Sequence, residues 1–589
     1  MPRHRQAAAL TGLFAFCFQT VISVAGPTRI YTTNADFDLG VAFNVNHAAP
    51  NNDQLQLNQQ SQTFPVLWVA NAGEDSVSKI DTNTGKEVAR YRTWFPSAVH
   101  DPFSGPAPSR TAVDGDGNCY VANRHFDGRP AEVMKILASG GNDRNGNGVI
   151  DTSSDLNSNG VIAGAEILSM TDSNANSIVE IGEIADERIA WHVRVGGNSM
   201  LGRSLSIDPN GFIWLGLFSG RVYYKLDPNT GAIVAGPINV APNTPYGAVV
   251  DASGILWGAS LSNNLLKLDT NTNTFVGTFT HSGSNYGIGF GNNRVYLGQA
   301  SPVHVFNPAT NTFSNINLGF TAYGVSAASN GDLLVHGSTV SGSAGGATRF
   351  RPDGSIVWSK GNQAGANDFA GRGCVPDANG DVWTINLNTN NVSKYDGDDG
   401  TALGVFPVGA SPYSYSDATG STFVQTIGLG RWTVVFDTAV NTTDDMVVTW
   451  NALQPGLSKL VVASAASNAK STPGAYSPAD FVPVTNGSTA SLAGRYHAVQ
   501  VTFTADPGNS QSPVLLDLTL RAPDVCPTLD LDGNGCIDRN DVTLSVAAIR
   551  VGSRDLRYDS NCDGKVDISD TRYIATKFTN AGGVPCVGP

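Results

Sequence analysis

Two stretches near the C-terminus carry oxygen ligands at the spacing a calcium ion requires. Calcium takes six to eight oxygens, and a twelve-residue loop supplies them from places 1, 3, 5, 7, 9 and 12, with glycine at place 6 for the turn. One loop sets Asp530, Asp532, Asn534, the carbonyl of Cys536, Asp538 and Asp541 at those places around Gly535. The second sets Asp559, Asn561, Asp563, the carbonyl of Lys565, Asp567 and Asp570 around Gly564. A chance Asp/Asn-rich turn rarely repeats the full ligand set twice. Calcium is the cofactor these residues call for.

A weaker version lies in an insert at 141–187. Asp143, Asn145, Asn147 and Asp151 open one loop, whose twelfth place is Ser154. Asp155, Asn157 and Asn159 open another that ends on Glu166, and a looser copy has Asp172, Asn174 and Asn176 with Glu180 and Glu183. With Ser154 at its end, the first loop has fewer charges for a cation. The competing reading of the insert is a solvated Gly/Asn-rich loop.

A third group is set by a repeat. Aligning the copies on a recurring Asp puts Arg203, Tyr246, Tyr286, Tyr323 and Arg372 at one position, with Arg110 and Tyr413 there in two further copies. Tyr and Arg around an opening suit stacking and hydrogen bonding to a sugar or small polar ligand. The alternative is that Tyr-Gly is a packing signature of the repeat. His125, His281 and His336 fall on loops expected to reach the same face, although lone histidines are more often structural. Glu74, Asp75 and Asp127 read as solvated loop charges. No Gly-x-Ser-x-Gly elbow or His-Glu-x-x-His helix occurs, and Gly287-Ile288-Gly289-Phe290-Gly291 lies in a strand with no helix behind it. A pair of glycosidase carboxylates leaves no sequence signature. Catalytic residues therefore stay unassigned.

The elements that hold these residues follow from the repeat. One copy reads Ala248-Val249-Val250-Asp251, a Ser-Gly turn, Ile255-Leu256-Trp257-Gly258, Leu265-Leu266-Lys267-Leu268-Asp269 and Phe275-Val276. These are four short strands divided by Gly, Asn and Asp. Copies stand about 37 to 49 residues apart, as from Tyr286 to Tyr323 and from Tyr323 to Arg372. So small a unit cannot bury its own faces, so neighbours stack radially. Seven copies predict a seven-bladed β-propeller over 66–417, with 141–187 inserted in the second blade. The first copy lacks its opening strand, and Tyr413-Ser414-Tyr415-Ser416-Asp417 is a spare one. Its place is beside Leu67–Ala70, closing the ring and removing the sheet edge.

After the ring, 418–523 alternates as a β-sandwich, with strands around Trp432, Met446, Leu460, Tyr496 and Val514. Residues 26–65 are either a linker or a strand pair, Asp36–Val41 with Asp53–Leu57, that completes the sandwich and makes the propeller an insertion within it. Residues 1–25 read as a secretory signal peptide cleaved after Ser23-Val24-Ala25, the alternative being an uncleaved anchor. No later stretch is apolar enough to span a membrane. The net charge of −14, with 15% charged residues, argues against nucleic acid or an anionic membrane as partner. Of seven cysteines, Cys17 leaves with the signal, and Cys119 and Cys374 are expected unpaired in the core. Cys526, Cys536, Cys562 and Cys586 allow three pairings, of which Cys526–Cys586 with Cys536–Cys562 is favoured.

Three resemblances follow from these motifs. Residues 524–589, with two Asp-terminated loops each followed by a short helical run, resemble type I dockerin modules. That resemblance implies docking to a cohesin-type partner, with places 10 and 11, here Arg539-Asn540 and Ile568-Ser569, tuning partner choice. The ring resembles streptogramin-lyase-like and NHL-type repeat propellers. Lyases of that kind act through a His with acidic and metal partners, a set with no residue-by-residue match here. The sandwich resembles jelly-roll modules of secreted carbohydrate-active proteins. The expected fold is mainly β, a propeller plus a sandwich, with a small α-helical calcium-binding module. The expected function is a secreted binding and attachment protein for a glycan or protein ligand. Its alternative is a polysaccharide hydrolase or a streptogramin-type lyase at the propeller mouth.

Overall fold

The computed structural model describes residues 28–49, 51–58, 63–298, 302–366, 371–442, 446–490, 493–506, 511–521, 529–532, 537–553, 558, 560 and 566–577. Residues 1–27, where the signal peptide is expected, the cysteines 17, 526, 536, 562 and 586, and the loop residues Asn534, Asp559, Asn561, Asp563 and Lys565 lie outside them.

The chain is mainly β. Among the described residues, one three-stranded sheet (Val66–Asn71, Ser76–Asp81, Glu87–Arg92) is followed by six four-stranded antiparallel sheets, each in chain order. The first strands touch in series, from Val66–Asn71 through Pro108–Val113, Gly202–Ile207, Gly247–Val250, Ile288–Gly291 and Ala322–Ala327 to Cys374–Pro376. That is the layout of a β-propeller.

The repeated Asp and Trp have a direct physical role. Asp208, at the end of its inner strand, accepts the Asn210 and Phe212 amides on one oxygen and the Trp214 indole N–H on the other, at 2.9 Å. Asp251 does the same for Ser253, Ile255 and Trp257, and Asp377 for Asn379, Asp381 and Trp383. Lys225 and Lys394, from the third strands, reach Asp208 and Asp377 at 3.3 and 3.2 Å. Each carboxylate thus folds its turn and ties its strand to the next, and Asp208 and Asp377 reach the third strand as well. In the second sheet the Tyr120 hydroxyl replaces the indole, 3.1 Å from Asp114.

The seam of the ring is less regular than the sequence reading expects. Residues 412–418 run beside Val66–Asn71, but the only β-bridge among the described residues there is Asn71 to Pro412. The Tyr413 amide donates to the Ala70 carbonyl at 2.8 Å, the Ala70 amide to the Ser414 hydroxyl, and the Trp68 amide to the Ala418 carbonyl. Between these contacts the segment bulges. Ser416 turns to the Thr111 backbone, and Asp417 accepts the Thr419 and Gly420 amides ahead of helix Ser421–Ile427.

The sandwich contains both ends of its own sequence. Thr28–Tyr31 pairs with Val514–Arg521, as does Leu55–Leu57, while Val41–Phe43 pairs with Leu429–Thr442 in the opposite sheet. The propeller is therefore inserted between strands of one sandwich. Two details differ from the expected strand pair. Asn34–Phe37 is a helical turn, because Thr33 and Asp36 form a reciprocal cap and Arg29 holds Asp36 at 2.6 Å. The strands around Val41 and Leu55 also enter different sheets instead of pairing with each other. Tyr31 and Phe37 pack edge-on against Trp432 in the sandwich core. Arg431 joins the sandwich to the propeller through Asp116 at 2.6 Å.

The C-terminal helices Arg539–Arg550 and Ile568–Ala575 start on Asp538 and Asp567, with Asp541 and Asp570 completing each capping box. Ile574 and Ala548 are buried, and Ser545 meets Thr571 at 3.0 Å. Cys119 and Cys374 are buried free thiols.

Candidate functional site

Six of the residues at the repeated position, Arg110, Arg203, Tyr246, Tyr286, Tyr323 and Arg372, stand in the first residues of an inner strand or just before it, and Tyr413 joins them from the seam. The tyrosines meet each other there: Tyr246 and Tyr286 with ring centres 5.1 Å apart, Tyr286 and Tyr323 at 5.8 Å, Tyr286 and Tyr415 at 4.8 Å. The Tyr413 hydroxyl lies 2.5 Å from that of Tyr286 and 3.3 Å from that of Tyr246. The guanidinium of Arg110 lies 3.3 Å over the Tyr415 ring and Arg203 4.5 Å over Tyr246, while Arg372 stands 5.3 Å from Tyr413. The sequence reading missed Arg124, 4.6 Å over Tyr413, and Tyr415.

An open aromatic platform for a sugar is not what these residues build. Side chains converging on one axis use their faces on each other. Tyr246, Tyr286 and Tyr413 are buried, and only Tyr323 and Arg372 are part-exposed. The following glycines allow the crowding. A Cβ on Gly287 would sit 2.0 Å from the Tyr323 carbonyl oxygen, and one on Gly324 2.3 Å from that of Arg372. Tyr-Gly is therefore a packing signature as well as a source of mouth residues. Below the cluster, a narrow space of mixed lining, with Arg110 and Asp417 beside Leu205, Ile288, Val325 and Phe423, runs to helix Ser421–Ile427. It holds about 40 Å³, far below the several hundred of a ligand pocket.

The four arginines are not equivalent. Arg110 is fully used, donating to the carbonyls of Arg203 at 2.8 Å, Tyr415 at 3.3 Å and Tyr246. Arg124 donates to the carbonyls of Ala107 and Pro102, yet its remaining terminal nitrogen is buried without an acceptor. The Nε atoms of Arg203 and Arg372 are likewise buried without acceptors. The strongest electrostatic neighbours of these three guanidiniums are the phenols of Tyr246, Tyr286, Tyr413 and Tyr415 and, for Arg124, the Arg203 guanidinium. Burial alone would raise the Tyr413 phenol, but Arg372, Arg124 and Arg203, with the Tyr246 hydroxyl, bring it down to about 8.

The three histidines do not open to the mouth. His336 lies inside strand Leu333–Gly337, so close to Gly371 that a Cβ there would be 1.5 Å from the ring. His281 packs on His304 with ring centres 4.5 Å apart. His125 spends its nitrogens on Asp127 at 3.1 Å and Glu132 at 2.8 Å, and His192 meets the same Glu132 at 3.3 Å. The loop acids are also paired: Glu74 with Arg90, Asp75 with His100, Asp127 with Arg129.

Burial lowers His125, but its hydrogen bonds to Asp127 and Glu132 outweigh that and raise its pKa. Burial would raise Glu132, yet His192 and His125 hold it far below the carboxylate range. The stability His125 contributes is thus complete below its unfolded pKa of about 6.5 and is lost as pH rises through its higher folded value. The share of Glu132 is complete above about pH 4.5 and lost only in strong acid. The melting temperature is expected to fall from pH 6.5 upward, more steeply than in Glu132→Gln. At pH 6 that variant should cost roughly 3–5 kcal/mol, because it leaves buried cations uncompensated. Parallel melting curves from pH 5 to 9 would contradict this.

The candidate metal loops share one design. Asp541 accepts the amides of Leu531, Asp532 and Asp538, at 2.6, 3.3 and 2.7 Å. The closing carboxylate thereby spans places 2, 3 and 9. Carboxylate oxygens of Asp530, Asp532 and Asp541 lie within 4.8 Å of one another. Like charges this close favour a cation between them. In the insert, Glu166 accepts the amides of Asn157 and Ala163, and Glu183 that of Ser173. The first insert loop corrects the sequence reading. Ser154 does not close it; Glu187 does, accepting the amides of Arg144, Asn145 and Asp151 at 2.6, 3.2 and 2.9 Å. The loop therefore carries three carboxylates, Asp143, Asp151 and Glu187.

No family model matches the sequence, and no curated protein is similar to it. Solved structures similar to it include propellers. A virginiamycin B lyase from Staphylococcus aureus is 12% identical, covering 52% of this chain and 85% of its own, with a TM-score of 0.36. A streptogramin B lyase is 12% identical, covering 61% and 94%, with a TM-score of 0.37. The WD40 propeller domain of Doa1 is 10% identical, covering 57% and 87%, with a TM-score of 0.36.

Proposed function

We propose that this chain is a secreted, calcium-dependent attachment protein. A dockerin-like module at 524–589 holds it to a cohesin-type partner, and a seven-bladed propeller presents its mouth to a glycan or protein. The observation that carries this reading is the convergence of Asp530, Asp532 and Asp541 at the start of helix Arg539–Arg550. An all-oxygen set with several carboxylates suits calcium. Those three residues would hold one ion, with Asp538 and Asn534. Asp559, Asn561, Asp563, Asp567 and Asp570 would hold a second. In the insert the ligands would come from Asp143, Asn145, Asn147, Asp151 and Glu187, then from Asp155, Asn157, Asn159 and Glu166, then from Asp172 to Glu183. Calcium supplies no chemistry here beyond fixing the loops, and through them the two helices that would face the partner.

The test is capture of the full chain on an array of cohesin domains, in calcium and in chelator. Calcium-dependent capture by at least one cohesin, lost in Asp541→Ala, is expected. Failure to bind any cohesin, or binding indifferent to chelator, would remove the attachment reading. One observation favours a second reading, a lyase acting on a polysaccharide or a streptogramin-type substrate. The Tyr413 phenol stands 4.6 and 5.3 Å from the Arg124 and Arg372 guanidiniums, which with Arg203 lower it to about 8, as proton transfer in such chemistry would use. Among the described residues no carboxylate is a leading neighbour of Arg124, Arg203 or Arg372, so a two-carboxylate hydrolase has less support there. Shortened or unsaturated products after incubation with polysaccharides would favour the lyase.

A further inference from the structure

We propose that the propeller mouth is an oxyanion site, in which Arg124, Arg203 and Arg372 take a carboxylate or sulfate group carried on the ligand and the Tyr413 hydroxyl hydrogen-bonds the same group. This deepens the glycan-binding reading above and rests on it: the ligand is an acidic saccharide.

Three observations lead to it. The first is charge. The chain has 50 acidic residues against 36 basic ones, yet its mouth gathers four arginines, and the strongest electrostatic neighbours of Arg124, Arg203 and Arg372 are phenols and, for Arg124, the Arg203 guanidinium. Buried like charges without a counter-ion destabilise a fold, and a bound anion relieves them. The second is hydrogen bonding. Arg110 is satisfied by carbonyls, whereas Arg124, Arg203 and Arg372 each keep a buried nitrogen without an acceptor. Arg124 and Arg203 are themselves at least nine-tenths buried, so water does not replace the missing partner. The third is convergence. Arg124 and Arg372 stand 4.6 and 5.3 Å from the Tyr413 ring centre, and Arg203 donates to the Tyr246 hydroxyl, itself 3.3 Å from that of Tyr413; together they lower the Tyr413 phenol to about 8. They therefore surround one point, which planar guanidinium donors match to a carboxylate or sulfate. The approach is from the side of Arg372 and Tyr323, the part-exposed members of the cluster.

The full chain in calcium is titrated calorimetrically with an oligogalacturonate, a sulfated oligogalactan, the uncharged oligogalactan of equal length, and sodium sulfate. One or both acidic saccharides should bind about 30-fold or more tightly than the uncharged one, the gain of a charge-assisted bond; which of the two binds tells carboxylate from sulfate. Arg372→Gln should remove most of that preference. Equal binding of charged and uncharged saccharides would overturn the oxyanion site while leaving glycan recognition standing. Binding of sulfate alone would keep the oxyanion site and overturn glycan recognition. No binding in any arm would overturn both. A spectroscopic arm needs no variant. The tyrosinate absorption that rises near pH 8 should move to higher pH when the anion is bound, because added negative charge opposes the phenolate. It should be missing in Tyr413→Phe. An unmoved transition in the presence of a bound acidic saccharide would place that saccharide elsewhere and overturn the proposal.

Discussion

Excision of residues 413–417 is expected to unfold the propeller. Those five residues include Tyr413 and Tyr415, both buried, and truncating one large buried aromatic costs roughly 3–5 kcal/mol. Two such losses approach the 5–15 kcal/mol that holds a typical domain together. The excision also removes the partners of the Ala70 amide and carbonyl, and the Asp417 side chain ahead of helix Ser421–Ile427. It exposes Val66–Asn71 as an unpaired edge, which invites pairing with a second chain. The expected result is loss of the main melting transition, with higher oligomers on size-exclusion chromatography. Tyr413→Phe is the mild companion. It removes one hydroxyl and little packing, so its melting loss should be about 1 kcal/mol. An excised protein that stays monomeric and melts within about 2 °C of the parent would mean that the ring closes elsewhere.

The ring was legible because its repeat is chemical as well as apolar. An Asp that organises its own turn and accepts an indole six residues later leaves a trace at fixed spacing, as in Asp208 with Trp214 and Asp377 with Trp383. The mouth was half legible for the same reason. Residues at the repeated position, Arg203 to Tyr413, are found by alignment, whereas Arg124 follows a second strand and Tyr415 lies in the irregular seam, outside that position. Of the histidine cluster only His125 was singled out, and for the mouth. His125, Glu132 and His192 come from a loop and two strands separated by the insert, so no local spacing announces them. At the N-terminus the alternation around Asp36 resembled a strand, but a capped turn overrode it, since Thr33 and Asp36 satisfy each other locally. The insertion of the propeller into the sandwich depended on pairing between residues nearly the whole chain apart, Thr28 with Arg521, which sequence pattern leaves open.

The closing ligand of the first insert loop shows the same limit, and gives the sharpest remaining test. Glu187→Gln is expected to lower the number of calcium ions bound by one, whereas Ser154→Ala leaves it unchanged. Glu187 takes amides from places 2, 3 and 9 of that loop, as Asp541 does from places 2, 3 and 9 of its own. It does so from 36 residues beyond Asp151, so calcium there would also fasten both ends of the insert. Replacing its charge leaves two carboxylates in the loop, and affinity follows ligand charge. Losing one charge-assisted bond, worth about 1.5–3 kcal/mol, weakens binding roughly 10- to 150-fold. Because Glu187 is buried and bonds the backbone directly, the variant also loses stability with no metal present. The two effects separate in the gap between melting in calcium and in chelator. Calcium at 100 times its dissociation constant adds about 2.7 kcal/mol per site, so that gap should shrink in Glu187→Gln and persist in Ser154→Ala. Chelator should meanwhile melt the C-terminal module first, since so small a unit depends on its metal. An unchanged ion count and an unchanged gap in Glu187→Gln would reduce Glu187 to a backbone clasp and leave the first loop without calcium.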